Sequence, residues 1–221
     1  MDSTMTALPD QLFPNGVKGI IFDCDGVMID SADGNRHLYN FVLAEVGLPP
    51  MTREQEIFAF QATFREALER LVPAHLLPDI DAAIAKIDYD RDVVSRIKLM
   101  PGFVHFIEEA HKRQIRLAID TNRTDFGINR ILDFFHLPPY FDPVISSSIA
   151  PDPKPSPAGA DMILNAWQLA PEDALFVGDS ADDGLAARSS HIPFAAFGPG
   201  PLKGDIKVES WPELAQLLWN G

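Results

Sequence analysis

Short apolar runs recur along the chain, each closed by polar or glycine-rich residues, and apolar side chains fall at helical spacing between them. Val17 to Phe22, Arg116 to Asp120, Pro143 to Ser146, Ala174 to Val177 and Pro193 to Phe197 read as buried strands. A strand covered on both faces of a parallel sheet has no alternation to show. Phe103, Phe106, Ile107 and Ala110 fit one helix face, and Ile128, Ile131, Leu132 and Phe135 fit another behind a cap at Thr124. Ser210 and Glu213 have capping-box spacing, with Pro212 in the first turn and a Leu214, Leu217 and Leu218 stripe behind it. Strands alternating with helices predict an α/β fold, a Rossmann-like parallel sheet with helices on both faces in three layers.

The alternation breaks between about Ser31 and Lys98, where the pattern is helical throughout. Leu38, Phe41, Val42 and Glu45 lead to a stop at Gly47-Leu48-Pro49-Pro50. A second helix is predicted from Thr52, boxed with Gln55, carrying Ile57, Phe60, Phe64, Leu68 and Leu71. A third is predicted over Ile80 to Ile97, after Pro78. The chain therefore divides into an α/β core, residues 1–30 plus 99–221, and an inserted helical unit, residues 31–98.

The run into Asp23-Cys24-Asp25-Gly26 changes the picture from architecture to chemistry. Side chains repeat every two residues along a strand, so both carboxylates face one side and Cys24 the other, toward apolar packing. Open α/β sheets bind ligands at the carboxyl ends of their strands, where these acids fall. Two adjacent carboxylates repel unless a cation or a shared proton relieves them, which suggests a divalent metal with a nucleophile beside it. Three more strand ends carry reactive groups in order: Thr121-Asn122-Arg123, Lys154-Pro155, and Gly178-Asp179-Ser180-Ala181-Asp182-Asp183.

Composition narrows the partners. Hydrophobic residues at 46% suffice for a core, and 32 acidic against 18 basic side chains leave a net charge of −14. That balance argues against nucleic acid and anionic membranes. A single cysteine excludes an internal disulfide framework and suits a reducing, cytoplasmic setting. Met1 to Asp10 shows no basic-then-apolar leader, no apolar stretch approaches membrane-spanning length, and the histidines show no paired ligand spacing.

In order and context, these segments resemble the four motifs of the haloacid dehalogenase superfamily, the resemblance running from about Val17 to Phe197. It lies nearest the phosphoglycolate phosphatase-like and beta-phosphoglucomutase-like members, which carry a helical cap between the first two motifs. It implies a phosphatase acting on a small phosphate monoester, with Asp23 as nucleophile and Asp25 as general acid and then base. For the acid role, neighbouring carboxylates are expected to lift Asp25 toward neutrality. Mg2+ is implied, held by Asp23, the Asp25 backbone carbonyl and Asp179, with Asp183 acting through a water and Asp182 competing for that outer role. Thr121 and the Asn122 amide would bind the phosphoryl group, Lys154 would bridge it to Asp23, and Gly26 would let the backbone approach it. Arg36, Arg53 and Arg65 are candidates for an anionic group on the substrate. Asp25 argues against dehalogenases, and Asn35, where sugar phosphomutases of similar build carry a histidine, weakens the mutase alternative. A silent ligand-binding relative is the third possibility.

Overall fold

The computed structural model describes residues 12–14 and 16–219, so the N-terminal stretch read for a leader lies outside them. Six strands form one parallel sheet: β1 (Gly19–Phe22), β4 (Arg116–Thr121), β5 (Phe141–Ser146), β6 (Ala174–Gly178), β7 (Phe194–Phe197) and β8 (Ile206–Val208). Their order is β5-β4-β1-β6-β7-β8, so β1 lies inside the sheet, hydrogen-bonded to β4 on one side and β6 on the other. Two short antiparallel strands, β2 (Ile29–Asp30) and β3 (Lys98–Leu99), pair where the chain leaves the sheet for the helical insertion and returns. The predicted strands are all present. β8 was not anticipated, because three residues give periodicity nothing to act on. Its approach depends on Gly204, where a Cβ would stand 2.5 Å from the Phe194 carbonyl oxygen.

The alternation of β1 supplies both sides of the core. Ile20, Phe22 and Cys24 pack with Leu117, Ile119, Leu175 and Val177 beneath α6 (Phe103–Lys112), α7 (Asp125–Phe134) and α10 (Trp211–Trp219). Ile21 packs with Ala118, Ile145 and Phe176 under α8 (Ala158–Trp167) and α9 (Ala181–Ser189). Trp211 stacks into the first cluster among Phe22, Phe103, Phe106 and Phe197, and its indole N–H donates to the Val27 carbonyl at 3.1 Å. The aromatic core thereby holds the turn that follows Asp25. Thr124 caps α7 as expected, its hydroxyl accepting from the Gly127 amide. The Ser210 box forms only in half: its hydroxyl accepts from the Glu213 amide, but the Glu213 carboxylate turns to the Glu209 amide.

The insertion departs from its predicted three helices. α1 (Ala32–Glu45) ends at Gly47 as read, with φ of +76° at that glycine. The next helix divides into α2 (Arg53–Gln61) and α3 (Phe64–Leu71), because Thr63 and Glu66 form a second capping box inside the expected span. The third span breaks into turns of 3₁₀ helix, α4 (Ile80–Ile84) and α5 (Tyr89–Asp92), with Asp88 capping the last. Tyr39, Val42, Leu43, Leu68 and Ile80 form a separate apolar cluster here, whereas Leu38, Val93 and Ile97 join the sheet's core. Ile57, expected on a buried stripe, is exposed. No helix among the described residues is long and apolar enough to cross a membrane.

Phe22 is fully buried and meets Phe103, Phe106, Phe141 and Trp211 within 6.2 Å between ring centroids. Phe22→Ala should cost about 3–5 kcal/mol of stability, the usual range for emptying an aromatic core site. Urea unfolding would measure it, with a shifted midpoint at unchanged slope.

Candidate active site

The carboxyl ends of β1, β4 and β6, with the loop after β5, converge on one cluster. Asp23 follows β1, and its amide donates to the Val177 carbonyl at 2.9 Å, which keeps it in register with β6. Lys154 reaches in from the loop and is buried, with each ammonium proton matched to an acceptor. Its Nζ lies 2.7 Å from Asp23 Oδ1, 2.7 Å from Asp183 Oδ1 and 2.8 Å from the Asp120 carbonyl oxygen. The Asn122 side chain positions that loop, donating to the Lys154 carbonyl at 3.0 Å and accepting from its amide at 2.9 Å. Thr121 is buried at the end of β4, and its hydroxyl accepts from the Arg123 amide.

Asp179 closes the cluster across Gly26. A Cβ at residue 26 would fall 1.9 Å from Asp179 Oδ2, and the residue's φ is +74°, so both space and backbone require glycine. Asp23, Asp179 and Asp183 bring carboxylate oxygens within 4.8 Å of one another, whereas Asp182 stands outside that set. Asp183 has both oxygens engaged, one with Lys154 and the other with the Ser180 amide and hydroxyl that it caps. It suits an outer position behind a bound water better than direct ligation.

The electrostatics call for a cation. Burial pushes Asp23 well above the usual carboxylate range; Lys154 offsets part of this, while Asp183, Asp179 and Asp25 add to the rise. Asp179 is raised to about 7, first by loss of water and then by Asp183 and Asp25. It keeps solvent exposure at the cavity mouth. An all-oxygen donor set of mutually repelling carboxylates fits a hard divalent metal. Cys24, between the two acids, is buried with its thiol raised well above normal by burial, as a core residue should be.

Asp25 departs from expectation. Its pKa is lowered, not lifted: burial pushes it up, but the Arg123 guanidinium overrides that push. Arg123 Nε lies 2.7 Å from Asp25 Oδ2 and Nη2 2.5 Å from Oδ1, a two-pronged pair. Ser31 and Asn35 also donate to Asp25, and Arg123 reaches Asn35 Oδ1 and the Tyr89 hydroxyl at 3.1 Å each. Arg123 was visible only as the basic residue after Thr121-Asn122; nothing local in the sequence points a guanidinium back across 98 residues to Asp25. Arg36 and Arg65 do not come to the site: Arg36 pairs with Glu56 and Asp33, Arg65 with Asp81, and neither lines the cavity. Arg53 likewise pairs with Glu56. On solvated helix faces, acidic neighbours claim them.

A cavity of about 610 Å³ opens over the cluster, floored by Asp23, Asp25, Lys154 and Asp179 and walled by α1 to α5 and the start of α7. Beneath it, Asp120 is buried against Gly159, one carboxylate oxygen has no partner, and burial raises it to about 6.

Two outcomes follow. Folding favours the protonated form of Asp120, so its destabilising effect is absent well below pH 4 and complete above about pH 6. The stability of Asp120→Asn relative to the parent should therefore rise by roughly 2–3 kcal/mol between pH 4 and pH 7, measured by urea unfolding at each pH. Arg123→Gln should raise the Asp25 pKa, because it removes the ion pair that lowers it. Carboxyl-carbon NMR titration of Asp25 would report the change.

The family model for haloacid dehalogenase-like hydrolase matches residues 20–197. Phosphoglycolate phosphatase 1 of Pseudomonas aeruginosa is 28% identical over 202 residues, covering 88% of this chain and 74% of that protein. A haloacid dehalogenase superfamily hydrolase of subfamily IA, variant 1, from Geobacter sulfurreducens superposes with a TM-score of 0.74 at 31% identity, covering 92% of this chain and 98% of that one. CbbY from Rhodobacter sphaeroides, solved with phosphate, shares the fold with a TM-score of 0.77 at 24% identity, covering 91% and 99%. The match spans every strand-end motif assembled around Lys154, and the chain belongs to the haloacid dehalogenase-like hydrolase family.

Proposed function

We propose that this chain is a metal-dependent phosphatase of phosphate monoesters that works through an aspartyl-phosphate on Asp23. The observation that carries the reading is the buried Lys154 ammonium between Asp23 and Asp183, with Asp25 and Thr121 at neighbouring strand ends under one cavity. A carboxylate oxygen of Asp23 attacks phosphorus, the ester P–O bond breaks, and the departing alkoxide takes a proton from Asp25. Water then attacks the aspartyl-phosphate, giving its proton to Asp25 and releasing phosphate and free Asp23. Lys154 neutralises charge on Asp23 and on the phosphoryl oxygens, while the Thr121 hydroxyl and the Asn122 amide donate to those oxygens.

Magnesium is the proposed ion. Asp23, Asp179 and the Asp25 carbonyl would hold it, with Asp183 behind a water, and it would supply positive charge against the phosphoryl oxygens. Asp25, paired with Arg123, enters as a carboxylate, so the acid step requires Arg123 to loosen its hold and Asp25 to take up a proton from solvent before the alkoxide departs. We further propose that residues 31–98 act as a cap over the core of residues 1–30 and 99–221. Asn35, Tyr39 and Tyr89 on the cavity wall support this, as does the β2–β3 pair at the crossing. A cytoplasmic setting is proposed on the lone, buried cysteine.

Phosphate release from a panel of monoesters, with magnesium and with chelator, tests the reading. Phosphoglycolate belongs in that panel because a relative is named for it. Asp23→Asn should lower magnesium-dependent turnover at least about a thousandfold with the fold intact by circular dichroism. Equal rates for parent and variant would sink the assignment, and isomer exchange on sugar bisphosphates without release would point to a mutase.

A further inference from the structure

We propose that the ester this protein cleaves carries an apolar alcohol, an alkyl or aromatic group of several carbons, rather than a short carboxylated one. This rests on the phosphatase reading and concerns what the cavity accepts once the phosphoryl group stands at Asp23. Away from the carboxylates the cavity is lined by Tyr39, Phe60, Phe64, Ile84, Ile87 and Phe126. Its volume of about 610 Å³ is far more than a two-carbon acid needs, and lies within the ~300–1,000 Å³ typical of sites for larger organic ligands.

Charge points the same way. Among the lining residues Arg123 and Lys154 carry the positive charges. Lys154 already has three acceptors, and Arg123 would meet a substrate carboxylate only by giving up Asp25, Asn35 and Tyr89. The cationic side chains that could have met a substrate carboxylate from the insertion, Arg36 and Arg65, are paired elsewhere. Asp30 and Asp182 also line the cavity, so a carboxylate on the leaving group would meet like charge. Two of the large apolar side chains left exposed, Ile57 at 52% and Phe126 at 60%, stand at this cavity, one from α2 and one from α7. An apolar leaving group would cover both, and each methylene removed from water is worth about fourfold in binding.

Steady-state kinetics with magnesium on ethyl phosphate, hexyl phosphate and phosphoglycolate test the proposal. Ethanol and hexanol are nearly equal as leaving groups, so their ratio reads the cavity rather than bond reactivity. The expected kcat/KM for hexyl phosphate exceeds that for either of the others at least about tenfold. Ile57→Ser and Phe126→Ser, both at exposed positions where truncation leaves the core intact, should each narrow the hexyl-to-ethyl ratio severalfold. Phosphoglycolate equal to or better than hexyl phosphate overturns the proposal, as does a ratio untouched by both variants. A phosphoglycolate preference erased by Arg123→Gln would assign the substrate's carboxylate to that guanidinium instead. Failure to hydrolyse any ester, nitrophenyl phosphate included, overturns the phosphatase reading itself and this one with it.

Discussion

The buried ammonium of Lys154 is the interaction on which the rest of the site depends. Three carboxylates are gathered where three strand ends meet, and a cluster of that kind is unstable without positive charge within a few ångströms. Lys154 supplies it at fixed positions to Asp23 and Asp183, and takes its third bond from a backbone carbonyl of β4 that cannot titrate away. The opposing charges in turn hold the Lys154 pKa well above its ordinary value, although burial alone would lower it. Because Asn122 grips the Lys154 backbone, the cation's position is set by two loops, and a shift in either would move charge at the nucleophile.

A second ion pair works against the first step of the chemistry. Arg123 keeps Asp25 ionised, which suits a base that activates water and hinders an acid that protonates an alkoxide. The same guanidinium touches Asn35 and Tyr89, both from the insertion, so the protonation state of Asp25 is tied to how the helices sit over the core. In the proposed mechanism, the seating of the insertion and both proton transfers are linked through one side chain. By the same mechanism, substrate arriving in the cavity has that network to disturb before Asp25 can take up the proton that it passes to the leaving group.

Most of the core was legible from short apolar runs, because parallel strands buried on both faces leave an unbroken signal in Ile20-Ile21-Phe22 and in Leu175-Phe176-Val177. Asp23, Thr121 and Asp179 were legible for the same reason, each at or directly after the end of such a run, whereas Lys154 lies in the loop beyond β5. What the pattern did not carry was set by contacts distant in sequence. The Asp25 shift had the wrong sign because a neighbouring carboxylate is visible in a motif, whereas a guanidinium arriving from β4 is not. Arg36, Arg53 and Arg65 were candidates for an anionic group on the substrate, yet acidic neighbours on the helix surfaces claim all three. The Thr63 and Glu66 box was readable but lay inside a longer apolar periodicity that masked it. β8 was too short for any period to show.

Cys24 gives the arrangement an evolutionary cost. It belongs to the hydrophobic core, yet its backbone is shared by Asp23 on one side and Asp25 on the other. A larger residue there would have to be absorbed by Ile20 and Phe22 and their aromatic neighbours, and any tilt of the strand end would carry both carboxylates with it. Packing and reactivity cannot be tuned independently over these three positions. Selection for a new substrate should therefore leave this segment alone and act on exposed positions of the helical wall across the cavity, such as Ile57, which carry no second role of this kind.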